Sequence, residues 1–259
     1  MFHKIYKKIF YFYIFLRIFF NIKKSNLDNK YYLIKLLKRK FIYKTKDSFL
    51  LLLSEVYLNK IYHTQLNIDD PIIFDLGANI GLTSSYYREV LKNAKIHSFE
   101  ANPLAYKILE YNNNENNLQL KTYNVALGSN DSERDFYFTL DDHVGASFFS
   151  SRSNDQGNKI TVKQERLSNF IHEEIDILKI DVEGAEMEII KELNDTDKLK
   201  YIKNVIVEFH CNIKENSNSL INFLQIFEKN NFKFNIHNPS MGTHRVNDFH
   251  SYLIYLVRQ

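Results

Sequence analysis

The 259-residue chain is 44% hydrophobic, 25% charged and 15% aromatic, with no tryptophan, which allows one large domain with a substantial core. Seven glycines and three prolines exclude collagen-like and Pro/Gly-rich disordered chains; a single cysteine, Cys211, excludes an internal disulfide framework and a Cys-rich zinc site. The net charge of +3 hides a split at Lys46: residues 1–46 hold 13 Lys/Arg against one acid, Asp28, giving +12, and the remainder carries −9.

The chain therefore divides into a basic aromatic arm, residues 1–46, and an acidic body, residues 47–259. Residues 9–20 read IFYFYIFLRIFF between lysine clusters. The run has no small-residue cleavage site and is too short, with Arg17 inside it, to span a bilayer. Aromatic rings flanked by Lys/Arg suit a helix lying on an anionic membrane surface; the alternative is a helix docked on the body. No nucleic-acid motif accompanies the charge. The expected location is cytoplasmic, at the inner membrane face. Residues 30–40 predict an amphipathic helix, residues 41–53 a hairpin turning at Lys46-Asp47-Ser48, and Ser54 a cap for a short helix with Glu55 in its first turn.

From Pro71 onward short apolar runs alternate with helical segments. Strands are expected at 72–74, 96–99, 121–126, 175–180, 205–209, 233–236 and 253–257, and helices at 82–91 and 103–111. Such alternation indicates a mostly parallel sheet covered on both faces, whose ligands bind beyond the carboxyl ends of the strands. Residues 75–81, DLGANIG, follow the first body strand and open a helix. The glycines permit a tight turn and close approach to a ligand. Their spacing lacks the Gly-x-Gly-x-x-Gly of dinucleotide binders, and Asp75 would repel a pyrophosphate. Glu100 ends the next strand, where a carboxylate can accept hydrogen bonds from both hydroxyls of a ribose. A nucleoside site is the expectation.

The series IIFDLGANIG, SFEANP, NVALGS, LKIDVEGAE and VEFH, between residues 72 and 210, resembles the FkbM family of S-adenosylmethionine-dependent methyltransferases. The resemblance implies a class I methyltransferase fold, Rossmann-like, with a seven-stranded sheet and one antiparallel strand. It further implies methyl transfer to a hydroxyl, on a sugar or glycan-type acceptor. By that resemblance Gly77, Asn79 and Gly81, with Asp75 before them, line the methionine end of the donor. Glu100 holds its ribose, and residues Asn124 to Ala126 edge its adenine. Nothing upstream of Ile72 matches the family.

Asp181 and Glu183 end one strand and Glu208 and His210 lie on another, each pair two residues apart, so the four are expected to converge above the sheet. His210 is then a candidate general base oriented by a carboxylate, with Asp181 and Glu208 as partners. Equally, Asp181, Glu208 and His210 could ligate Mg2+ or Mn2+. Glu186 reads as an acid at a helix N-terminus, and Cys211 as a packing residue. Residues 141–158, with Gly145 and Ser147, resemble the family's substrate-side loop, and residues 240–250 border a possible acceptor pocket. Two other function classes fit less well: a nicotinamide-dependent oxidoreductase, and a non-catalytic membrane-surface module.

Overall fold

The structure, a computed structural model, describes residues 12–18, 20–21, 23–26, 30–36, 38–66, 68–138, 158–211, 219–237 and 250–259. Residues 141–157, with His143, Gly145 and Ser147, and residues 240–249 therefore lie outside the described residues.

Residues 12–18 form helix α1. Strands β1 (Tyr32–Leu36) and β2 (Arg39–Tyr43) pair antiparallel. This corrects the helix expected at 30–40. Ile34 and Leu36 alternate into the core, and Lys38 takes a left-handed φ of 70° at the reversal. Helical spacing of the leucines was real, but burial against β2 decides for the strand. The hairpin expected at 41–53 is also corrected: β2 ends at Tyr43 and helix α2 (Lys46–Leu53) begins at the proposed turn. Ser54 does not N-cap a new helix, because α2 runs directly into a π-helical turn, Ser54–Asn59.

The body opens with β3 (Ile72–Leu76), α3 (Leu82–Val90), β4 (Lys95–Phe99), α4 (Pro103–Glu115) and β5 (Lys121–Tyr123). A short β6 (Ala126–Leu127) joins β7 (Ser132–Phe138) and β8 (Asn158–Glu165) in a separate three-stranded sheet, so the strand expected at 121–126 is divided between two sheets. Then come β9 (Ile175–Ile180), α5 (Glu186–Asp195), β10 (Ile202–Cys211), α6 (Leu220–Lys229), β11 (Phe232–His237) and β12 (His250–Arg258). The main sheet has seven strands in the order β11-β12-β10-β9-β3-β4-β5. Only β12 runs antiparallel to its neighbours, as expected.

Successive strand residues feed opposite layers. Ile73 and Ile177 face a core with α3 and α4, while Phe74 and Leu178 face one with α5 and α6. The first of these cores also takes Ile14, Ile18, Ile34, Phe41 and Phe49, so one apolar cluster joins residues on both sides of position 46. Asn112 of α4, fully buried, accepts from the Ile42 N–H at 2.8 Å and donates to the Ile80 carbonyl at 2.8 Å. It ties the β1–β2 hairpin to the glycine loop after β3. No helix among the described residues is long and apolar enough to cross a membrane.

Candidate active site

The ends of β3, β4, β9 and β10 open into a cavity of about 240 Å3, where a mostly parallel sheet places its ligands. The loop after β3 forms its floor. Gly77 has a φ of +72°, and a Cβ there would sit 1.8 Å from the Asp181 carbonyl oxygen, so only glycine lets these two loops meet. Gly81 (φ +86°) starts α3, and a Cβ on it would press Leu109. Asn79 adopts φ +50° and lines the cavity. Its Oδ1 is buried without a hydrogen bond among the described residues.

Glu100 is 8% exposed and lines the same cavity. Its carboxylate accepts from the backbone N–H groups of Asn79 at 2.8 Å and Asn102 at 2.7 Å. Burial pushes its pKa up to about 7, opposed by those two bonds. Each oxygen retains acceptor capacity toward the cavity. Ala126 lines the cavity as well. Asn124 is placed differently: its amide donates to the Glu100 carbonyl at 2.8 Å, fixing the β4 end, and it is not among the lining residues.

Asp75 is also off the lining. It is fully buried, accepts from the Ser84 hydroxyl at 2.5 Å, and pairs with Lys179 Nζ at 3.2 Å. Lys179 donates further to the carbonyls of Leu76 (3.1 Å) and Gly77 (2.9 Å) and lies 3.7 Å from Asp181. Burial opposes its charge, but Asp75 and Asp181 outweigh it and raise the pKa. Asp75 and Gly81 thus shape the loop from behind, and Gly77, Asn79 and Glu100 face the cavity.

Opposite them stand Asp181, Glu183, Glu208 and His210, all on the cavity wall. The expected convergence is present, although Glu183 reaches it through a turn with φ +58° and not through extended strand geometry. His210 is 3% exposed. Its Nδ1 lies 2.7 Å from Glu186 Oε1, and its Nε2 lies 3.3 Å from Glu183 and 3.8 Å from Glu208. Burial works against its charge, yet Glu186 and Glu183 outweigh burial and lift its pKa to about 10. The carboxylates around it favour the imidazolium form, whose two nitrogens point at Glu186 and Glu183, and this weighs against a role as a ready general base. Burial and the charge of Asp181 push Glu208 up to about 7; it accepts from the Ser251 hydroxyl at 2.7 Å.

Glu186 does more than meet a helix end. Its Oε1 accepts from the Gly184 N–H at 2.9 Å and faces His210, which it orients. Sequence reasoning missed two wall residues that come from before the body's first strand. Tyr62, fully buried, donates to Asp181 Oδ2 at 3.2 Å. Glu55, on the π-helical turn, is pushed up to about 7 by burial and by Glu208. No spacing motif links either residue to the strand ends.

A doubly covered, mostly parallel sheet with a glycine turn after one strand and a ribose-type carboxylate after the next is that of a class I methyltransferase. The profile of the Methyltransferase FkbM domain matches residues 75–234, more than half of the chain. The protein belongs to the FkbM family of S-adenosylmethionine-dependent methyltransferases. Among curated relatives, methyltransferase sdnD of Sordaria araneosa is 29% identical over 211 residues, covering 69% of this chain and 77% of its own length. Methyltransferase 1 of Beauveria bassiana is 28% identical over 182 residues, covering 62% and 72%. The crystal structure of methyltransferase FkbM from Methylobacillus flagellatus superposes with a TM-score of 0.51 at 13% identity, over 79% of this chain and 47% of that one. The chain thus spans about half the length of that structure, and the likeness concerns the fold.

Proposed function

We propose that the protein transfers a methyl group from S-adenosylmethionine to a hydroxyl of a sugar or glycan-type acceptor. The observation that carries the donor's placement is the facing pair of Asn79, with its unsatisfied buried oxygen, and Glu100, with two carboxylate oxygens fixed by backbone amides. Both fit a nucleoside donor with hydroxyl and ammonium groups to offer. When bound, the donor supplies an electrophilic methyl on a sulfonium. The chain's part is alignment and proton management. Gly77 and Asn79 hold the methionine end, Glu100 the ribose, and Ala126 the base. Glu208 and Glu55, poised near 7, are the carboxyls suited to take the acceptor's proton, while the His210 imidazolium holds Glu183 and Glu186 in place.

One observation favours a metal-assisted variant of this reading: Asp181, Glu183 and His210 each bring a ligand atom to within 4.8 Å of the others. Glu183 thereby joins Asp181 and His210 in place of the Glu208 expected from spacing. Two carboxylates and an imidazole suit Mg2+ or Mn2+, which would lower the pKa of an acceptor hydroxyl. Such an ion must displace the proton that His210 carries. Loss of turnover in EDTA, restored by Mg2+ or Mn2+, is its test; full activity in EDTA removes it.

The acceptor class is supported by the acidic, hydroxyl-compatible wall, and the arm supports placement at an anionic inner membrane surface. Helix α1 buries Ile14 and Ile18 in the body but leaves Phe12 (61%) and Tyr13 (53%) exposed beside Arg17, with Phe20 (70%) exposed past its end. Mass spectrometry of surface polysaccharides with and without the protein tests the acceptor. A methyl-sized mass difference is expected, and identical spectra would sink the glycan assignment.

A further inference from the structure

Among the described residues, every acidic residue lining the cavity has a protein partner, with one exception. Glu100 accepts from two backbone amides, Asp181 from Tyr62, Glu208 from Ser251, and Glu186 from Gly184. Glu183 lies 3.3 Å from the His210 ring. Glu55 lines the same cavity, and its carboxyl has no hydrogen bond or ion pair among the described residues. It lines the cavity where α2 and the π-helical turn contribute Leu51, Leu52 and Glu55. That wall lies upstream of residues 75–234, the span matched by the family profile. The cations that line the cavity among the described residues, Lys179 and His210, are already engaged. Lys179 is shared among Asp75, Asp181 and two carbonyls, and His210 between Glu186 and Glu183. Neither forms an ion pair with Glu55, although the charge of Lys179 partly offsets its burial, and Glu208 lines the same cavity beside His210.

A half-buried carboxylate lining a ligand cavity, with no donor from the described residues, is open to a donor on the ligand. We infer that Glu55 is the acceptor-contacting carboxylate of this site, and that the acceptor presents an ammonium or hydroxyl group there, not a phosphate or carboxylate. An anionic group at that point would face Glu55, Glu208 and Asp181 together, a like-charge arrangement that a low-dielectric pocket penalises heavily. An amino sugar meets the requirement with both of its donor groups. The inference rests on the methyltransferase reading and refines its acceptor.

The test uses two donor analogues, so it needs no knowledge of the acceptor. Sinefungin carries an amine in the region where S-adenosylmethionine carries its transferable methyl; S-adenosylhomocysteine carries nothing there. Calorimetry on the full chain is expected to show sinefungin binding about tenfold more tightly than S-adenosylhomocysteine, the size of one charge-assisted hydrogen bond. In Glu55→Gln that preference should fall to about threefold or less while S-adenosylhomocysteine affinity stays within about twofold. Glu55→Asp, which keeps the charge, should retain part of it. An undiminished preference in Glu55→Gln overturns the inference, as does equal binding of both analogues by the unaltered protein. Failure of both to bind a folded sample would instead overturn the donor assignment itself.

Discussion

Lys179 and Asp75 form a buried ion pair, Nζ to Oδ1 3.2 Å, with 2% and 0% of their side chains exposed. Because Lys179 also donates to the carbonyls of Leu76 and Gly77, the pair fixes the glycine loop of the proposed donor site. Removing one partner leaves an uncompensated buried charge. Lys179→Met is expected to cost about 3–5 kcal/mol of stability in urea denaturation. The double variant Lys179→Met/Asp75→Asn should recover part of it, because no lone charge remains. A Lys179→Met protein of unaltered stability would show that the pair is not what holds the loop.

In the proposed function Glu100 holds both ribose hydroxyls of the donor. Glu100→Ala is expected to weaken S-adenosylhomocysteine binding by about 1–3 kcal/mol. With its pKa near 7, ionisation of Glu100 should also strengthen binding between pH 6 and 8. Calorimetry across that range, repeated on Glu100→Gln, checks both statements. A pH dependence that survives in Glu100→Gln assigns it to another group.

His210 gives the protein a pH-dependent stability whose sign is fixed. Its folded pKa, about 10, exceeds its ordinary 6.5, so its contribution is complete below 6.5 and lost as pH rises through 10. Glu55, Glu100 and Glu208, raised from 4.5 to about 7, act in the same direction, but their loss falls between pH 4.5 and about 7 and is complete above it. His97, lowered to about 4, acts oppositely but only below 6.5. The unliganded protein should therefore lose Tm steadily from pH 7 to 9, and His210→Gln should flatten that slope. A Tm that rises over this interval would contradict the charge state assigned to His210.

The exposed rings of α1 predict binding to vesicles. Full-length protein should sediment with vesicles containing phosphatidylglycerol and much less with pure phosphatidylcholine. The triple variant Phe12→Ser/Tyr13→Ser/Phe20→Ser should remain in the supernatant with S-adenosylhomocysteine affinity intact, because Ile14 and Ile18 make the contacts with the body. Equal sedimentation of the variant would remove α1 from any membrane contact.

The body's fold was legible in the chain because each strand is a short apolar run bounded by a turn, and because Gly77, Glu100 and Asp181 occupy strand ends where such sheets bind ligands. The arm was read less well. Its leucine spacing suggested a helix at 30–40, and only the packing of Ile34 and Leu36 against Phe41 made it a strand. The sequence alone determined the charge split, the donor motifs and the family. Tertiary structure decided which acids face the ligand. It turned Asp75 inward to Lys179, charged His210 by setting Glu183 and Glu186 around it, and carried Glu55 and Tyr62 to the cavity from more than a hundred residues away from Asp181. The reason is physical: a residue's type and spacing set what it can do, whereas its protonation and direction depend on burial and on charges brought near only by folding.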